Sequence, residues 1–399
     1  MVPNLLKPSQ LGGIPKDWKR VRLSEVMKVR QGLQIAISER LKAPTSTSKE
    51  YITIQSIKKT DQDREYVEAP SQRVICNRDD VLMTRTGNTG IVVTDVEGAF
   101  HNNFFLMDFD KDKIDKTFLV NYLRSPRVQH LILTKAGAST IPDLNHKDFY
   151  SVEFPLAPVL EQQKIANILS TWDKAISTTE RLINNSTQQK KALMQQLLTG
   201  KKRLLDDKGE RFEGEWETAP LKDCVTFLNG MRKPIKQEDR ADIQGQYPYF
   251  GATGIIDYVN DYIFDDELIL LGEDGENILS RVVPHVFMVS GKIWVNNHAH
   301  VMKANKDKNS EFLCIYLESL DYRKFNSGSA QPKINKAVCE KIPVHFPSSN
   351  EQNKIATVLT NADKEIELLE QQLADLQQEK KALMQVLLTG KKRVVVDGY

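Results

Sequence analysis

The sequence predicts an α+β protein in which two similar mixed α/β domains are joined by two long helices. The helices are expected to form an antiparallel coiled coil, giving the chain an internal pseudo-two-fold repeat. Three observations predict this. Residues 190–203 read "KKALMQQLLTGKKR" and residues 380–393 read "KKALMQVLLTGKKR", one substitution in fourteen. The match extends outward, because "EQQKIANIL" from Glu161 answers "EQNKIATVL" from Glu351 at the same offset of 190 positions. Each matched stretch carries apolar residues in steps of three and four with no Pro or Gly before Gly200 and Gly390, the pattern of one amphipathic helix.

Composition sets the frame. At 399 residues the chain is too long for one ordinary core and suits two domains. Its hydrophobic content of 40% and charged content of 27% are ordinary for a globular protein. A formal net charge of +2 does not by itself establish nucleic-acid binding. No apolar run approaches twenty residues, and "MVPNLLKPSQLGGIP" lacks the layout of a signal peptide, so a cytoplasmic location is expected. Cys76, Cys224, Cys314 and Cys339 are scattered, which argues against a disulfide framework and a structural zinc site.

The elements follow in order. Residues 1–158 form the first domain, with short strands expected from "YITIQSI", "DDVLMT", "GIVVTD" and "NNFFLMDF", and helix from "DKTFLVNYLRSPRVQHLILTKA". Residues 159–203 form the first spacer helix, with seam positions Ile165, Leu169, Trp172, Ile176, Ile183, Leu193 and Leu197. Residues 204–348 repeat the first plan with "YPYFGATGIIDYV", "ELILLGEDG", "RVVPHVFMVSGKIWV" and the helix-like "SEFLCIYLESLDYRKF". Residues 349–394 form the second spacer helix, whose seam is Ile355, Leu359, Ala362, Ile366, Leu369, Leu373, Leu376, Leu383 and Leu387, and 395–399 are a tail. Each helix of nearly forty residues is roughly 55–60 Å long at about 1.5 Å per residue. Antiparallel packing is expected because the intervening domain then needs no long return connection. Thr179 and Ser186 stand where the second copy has Leu369 and Leu376, so the seam is asymmetric.

Candidate nucleic-acid contacts lie in matched loops. In "TRTGNTG", Arg85 suits guanine, Asn88 suits adenine, and Thr86 lies between them; in the counterpart "GEDGEN", Glu273 and Asp274 can accept from cytosine, with Asn277 beside them. Both loops read equally as plain hairpin turns. Ser139, Thr140 and Asn145 in "GASTIPDLNHKDF" and Ser329, Gln331 and Lys333 in "GSAQPKINKAVCE" are similarly placed polar residues that either touch DNA or simply enter the next element. Lys58, Lys59, Arg232 and Lys233 are basic pairs suited to phosphates. Asn297 in "NNHAH" is a strand-end polar residue, and His298 and His300 lack a third ligand for a metal. "GKKR" after each helix reads first as a Gly-terminated helix end with cations on its dipole, with partner or phosphate contact in addition. No catalytic signature is present: no P-loop, no zinc-protease motif, no nucleotide-binding fingerprint and no Asp/Asn-Pro-Pro-aromatic motif of an adenine methyltransferase.

The Trp-x4-Leu openings "WKRVRL" and "WETAPL", the two E-Q-x-K-I-A helix starts, the closing "LLTGKKR" and the "YPYFGATG…ELILLGEDG" stretch together resemble the specificity subunit of Type I restriction–modification systems. The resemblance spans essentially the whole chain and implies a bacterial or archaeal source. It implies a non-catalytic subunit whose two domains each read one half of a bipartite, asymmetric DNA site. The helices would serve as spacer and as dock for two methyltransferase subunits, with two motor-nuclease subunits in the full complex. It also implies no cofactor on this chain, with S-adenosylmethionine, ATP and Mg belonging to the partners. At about 3.4 Å per base pair, the helix length caps the half-site separation at roughly 17 base pairs, and domain overhang shortens it. Two rival readings stay open on sequence alone: a coiled-coil scaffold for protein partners without DNA readout, and a stand-alone metal-dependent nuclease.

Overall fold

The structure, a computed structural model, describes residues 6–7, 13–58, 64–137, 142–328 and 331–396. Two helices dominate it, Val159–Leu197 and Ser349–Leu387, each of 39 residues. The chain forms two compact units, Met1–Glu180 with Gln371–Tyr399, and Arg181–Glu370. Each unit therefore combines one globular part with the start of one long helix and the end of the other.

In the first unit, strands Met27–Gln31, Phe104–Phe109, Val81–Thr84 and Val92–Val93 form an antiparallel sheet in that order. All four residues of "VLMT" are buried, as expected of a strand covered on both faces. A second sheet orders Tyr66–Val67, Lys49–Ile52, Gly98–Phe100 and Ile75–Cys76, and its central pair is parallel. The helix expected from 116 onward is two helices, Lys116–Arg124 and Pro126–Ala136. Pro126 lacks an N–H and disfavours helical geometry at Ser125, so it opens a new helix instead of continuing the old one. The core gathers Trp18, Phe105, Phe118, Phe149 and Phe154. It is closed by Ile165 and Leu169 from the start of the first long helix and Met384, Leu387 and Leu388 from the end of the second.

A buried ion pair locks that closure. Glu161 is 2% exposed, accepts from Trp18 Nε1 at 3.0 Å, and takes two bonds from Arg393 at 2.6 and 2.8 Å. Arg393 also grips Asp17 through bonds of 2.9 and 2.8 Å. One step along, Lys380 pairs with Asp173 at 2.5 Å. Because 393 meets 161 and 380 meets 173, the two helices run antiparallel here. Gly390 ends the helix at φ +65°, and a Cβ there would stand 2.4 Å from Pro15 Cγ, so only glycine fits both the backbone and the space.

The second unit repeats the design. Its antiparallel sheet orders Val225–Phe227, Ala299–Ala304, Leu268–Gly272 and Val286–Val289. Its mixed sheet orders Gly254–Val259, Gln244–Gly251, Lys292–Val295 and Phe264–Asp265, with Gln244–Gly251 parallel to Lys292–Val295. Fully buried Glu351 accepts from Arg203 at 2.7 and 2.6 Å, and Lys190 pairs with Asp363, so the helices are antiparallel here too. Trp216 takes the place of Trp18, but its buried Nε1 makes no hydrogen bond.

The seam residues fall in both units. Ile165, Leu169, Leu197, Ile355, Leu359 and Leu387 are buried. Trp172, Ile176, Ile183, Leu193, Ala362, Ile366, Leu369, Leu373, Leu376 and Leu383 are half-buried. Leu182 and Leu368, which share the apolar spacing, are 47% and 72% exposed. Thr179 is buried and returns its hydroxyl hydrogen to Ala175 O at 3.0 Å, which satisfies a polar group in the apolar seam. The four cysteines are buried and unpaired, with burial raising their thiols to about 11 or 12. No helix among the described residues is long and apolar enough to cross a membrane.

Arg203→Met leaves Glu351 buried without its cation, and urea unfolding of the second unit should show a loss of about 3–5 kcal/mol. Arg203→Met with Glu351→Leu should recover much of that loss. A second expectation concerns His285, which is 1% exposed with neither ring nitrogen bonded. Burial, helped by Arg281 and His300, pushes its pKa down to about 4. The unfolded chain takes up a proton near pH 6.5 that the folded chain refuses, so stability falls as pH drops from about 6.5 to 4. Relative to His285→Phe, the native chain should lose about 3 kcal/mol more over that window, measured by denaturant titration.

Candidate nucleic-acid interface

Two loop pairs suspected from sequence are stitched together in each unit by equivalent bonds. In the first, Arg85 N donates to Asn103 O at 2.7 Å, Leu144 N to Arg85 O at 2.8 Å and Gly87 N to Pro142 O at 3.2 Å. In the second, Glu273 N donates to His298 O at 2.8 Å, Ile334 N to Glu273 O at 2.8 Å and Gly275 N to Pro332 O at 3.1 Å. Both pairs lie at the end of a buried central strand, Val81–Thr84 or Leu268–Gly272.

The charges on these matching frames are inverted. In the first unit Arg85 binds Asp143 through bonds of 3.2, 3.0 and 2.9 Å, lies over the Phe105 ring, and Thr86 Oγ1 donates to Asp143 at 2.5 Å. The Thr86 hydroxyl, with Arg85, outweighs burial and holds the Asp143 carboxyl below its usual range. In the second unit a glutamate, Glu273, stands in the place of Arg85, and Lys333 in the place of Asp143, 3.4 Å from it. Arg232 completes this cluster, reaching Glu273 at 2.9 Å and the carbonyls of Asn229, Asn297 and Ala299. Burial would raise Glu273, but the Arg232 bond and charge and the Lys333 bond hold it below its usual value. His300 is fully buried, donates from Nε2 to Ile334 O at 2.8 Å and accepts from Asn229 Nδ2 at 2.9 Å, and burial pushes its pKa below the usual histidine value.

Several suspected contacts are spent inside the fold. Asn145 caps the helix His146–Tyr150 by accepting from Asp148 N at 2.9 Å, and its counterpart Asn335 caps Lys336–Cys339 in the same way. Asn277 clasps the backbone of Val283 through both ends of its amide. Asp274 accepts from His298 Nδ1 at 2.9 Å, so His298 faces outward while His300 points into the core. Arg85 and Arg232 are likewise committed, with side chains 17% and 14% exposed, against the free guanine- or phosphate-reading groups that sequence suggested. Asn88, Lys233, Asn297, Gln331 and Lys333 remain exposed. Lys58 ends a 3-10 turn, Ser56–Lys58, and Lys59, Ser139, Thr140 and Ser329 lie outside the described residues.

Beside the first loop pair an open cleft of about 500 Å³ is lined by Arg40, Gln55, Asn88, His101 and Asn103, with Ile37, 72% exposed, on its wall. In the second unit the hairpin Gln244–Gly251 and Gly254–Val259 leaves Ile255, Ile256 and Tyr258 about half exposed. Sequence reasoning missed Asp143 and Asn229, although opposite charges at 85 and 143 against 273 and 333 are visible once the copies are aligned. Among the described residues, no group of three or more His, Cys, Asp or Glu side chains can hold a metal ion.

Comparison with known proteins places this geometry in context. The family described as Type I restriction modification DNA specificity domain matches twice, at residues 15–187 and 213–378. The MjaVIII type I restriction enzyme specificity subunit of Methanocaldococcus jannaschii is 26% identical over 96% of this chain and 94% of its own length. A putative type I specificity subunit of Haemophilus influenzae is 35% identical over 38% of this chain and 37% of that protein. The crystal structure of a Type I S subunit from M. genitalium shares the fold, with 16% identity, a TM-score of 0.61 and 97% of each chain covered.

Replacing Asn145 by Ala should cost about 1 kcal/mol of stability, whereas Asn145→Ser, an equally good cap that places no second carboxylate beside Asp148, should cost less. Thermal melts of the two variants read the capping role, and duplex DNA binding reads base contact, since a lost DNA contact would weaken binding of both alike.

Proposed function

Starting from a chain that belongs, in both of its halves, to the Type I restriction–modification DNA specificity family, we propose how this specificity subunit divides its work. Each unit reads one half of a bipartite, asymmetric DNA site. The observation that carries this is the pair of equivalent loop frames with inverted charge: one scaffold, built twice, presenting Arg85 and Asp143 in one unit and Glu273 and Lys333 in the other. Equivalent backbone frames that carry different side chains offer different donor and acceptor patterns to base edges. The exposed Asn88, Lys233, Asn297, Gln331 and Lys333 are the nearest groups for such contacts, and the committed arginines hold the loops in shape.

The long helices set the gap between the two half-words and carry two methyltransferase subunits, with two motor-nuclease subunits in the full assembly. Adenine-N6 methylation with S-adenosylmethionine and ATP-dependent cleavage with Mg then belong to those partners, and this chain supplies the address.

Co-expression with the cognate methyltransferase subunit, followed by sequencing of modified adenines, should give one two-part motif with a fixed gap. Exchanging residues 1–158 for another reader should change one half-word only, and adding two helical turns to both long helices should change the gap before the words. A single contiguous motif, or scattered modification, overturns the bipartite reading.

A further inference from the structure

The connection that carries the loop frame is longer in the second unit than in the first. Between the paired strands Val81–Thr84 and Val92–Val93 lie residues 85–91, and the turn closes at once, Gly90 N donating to Thr84 O at 2.8 Å and Thr84 N to Ile91 O at 2.9 Å. Between the equivalent strands Leu268–Gly272 and Val286–Val289 lie residues 273–285. The extra length forms a short helix, Asn277–Ser280, and a loop that runs through Pro284. Residues 277–284 carry one charged side chain, Arg281, and three of their outward side chains are apolar: Val282 is 82% exposed, Val283 40% and Leu279 39%.

This apolar tip is anchored from beneath. Ile278 is buried in the core of the second unit. Asn277 clasps the Val283 backbone, donating to its O at 3.0 Å and accepting from its N at 3.1 Å. Arg281 stands in the left-handed region at φ +52°, lays its guanidinium over the Tyr322 ring, and donates to Glu318 O at 2.7 Å and to the Glu318 carboxylate at 2.5 Å. The other oxygen of that carboxylate accepts from His285 N at 3.0 Å and Val286 N at 2.8 Å. A non-glycine residue in the left-handed region is strained, and such strain persists where the surrounding structure enforces it. The result is an apolar tip fixed in water, where it adds nothing to the core.

The tip grows out of the loop frame itself. Glu273 N and Gly275 N, in the same connection, bond His298 O and Pro332 O, so the apolar residues emerge at the strand end that carries the candidate DNA contacts. A partner common to both units would need this surface in both, and the first unit's short turn lacks it. A ligand that differs between the units meets the requirement, and the two half-words of DNA differ. A valine has no hydrogen-bonding group, so on a duplex it neither holds phosphate nor reads a donor or acceptor. The feature of a base edge that it can recognise is the 5-methyl group of thymine in the major groove. We infer that Val282, with Val283 beside it, reads a thymine methyl group in the half-word of the second unit. This rests on the reading that each unit takes one half-word.

The test uses the full chain with its cognate methyltransferase subunit, on duplexes that carry the mapped two-part motif. The second half-word is the one that exchanging residues 1–158 leaves unchanged. Replacing a thymidine by deoxyuridine removes the methyl group and keeps the base pair. At one thymine of the second half-word this should weaken binding about fourfold, the value of one buried methyl-sized group. In Val282→Ser, an exposed change that should leave thermal melts unaltered, thymidine and deoxyuridine should bind alike at that position, while the first half-word responds as in the native chain. A fourfold ratio that persists in Val282→Ser, or a native complex indifferent to every methyl group of the second half-word, overturns the inference. So does a defect of the variant confined to methyltransferase recruitment or to self-association. A native chain that gives no two-part motif overturns the parent reading as well, whereas an intact motif with no methyl-dependent contact at Val282 overturns this inference alone.

Discussion

The pairing of a buried carboxylate with an arginine from the far end of the chain's other long helix governs this architecture. Glu161 and Glu351 sit in the first turns of the two long helices, 2% and 0% exposed. Each is neutralised by an arginine that follows the end of the other helix, Arg393 and Arg203. Burying a charge alone costs several kcal/mol, so the helix start and the distant helix end are held together or neither is stable. The glycine three residues earlier turns the chain through a left-handed residue so that the arginine arrives at the carboxylate.

This constraint explains why each compact unit borrows from both copies. The first domain's core is incomplete without Met384, Leu387 and Leu388, and the second domain's core is incomplete without Leu197 and Leu198. The tryptophans mark how closely the two copies track each other. Trp18 donates to its buried glutamate, while Trp216 keeps the position and makes no such bond. Packing is thus repeated more faithfully than hydrogen bonding.

The loop frames follow the opposite logic. Their backbone bonds are equivalent in the two units, so the scaffold is fixed by amide geometry, while their side chains invert charge. A frame held by backbone leaves its side chains free to change without loss of fold. The same division explains why Asn145 and Asn335 agree: both cap a helix, a task with few chemical solutions.

The sequence by itself determined the duplication, the strand and helix segments, the length of the spacer helices and the family. Those properties rest on local periodicity and repeated words, which need no knowledge of what lies across space. Even the break at Pro126 was written there, in a residue that cannot donate a backbone hydrogen bond. Only the tertiary structure decided which polar residues are free. Arg85, Arg232, Asn145 and Asn277 look like readers in a sequence and are committed to Asp143, Glu273, Asp148 and Val283 in the fold. Those partners lie from 3 to 58 positions away, and a side chain's availability depends on the nearest groups in space, which chain order does not fix.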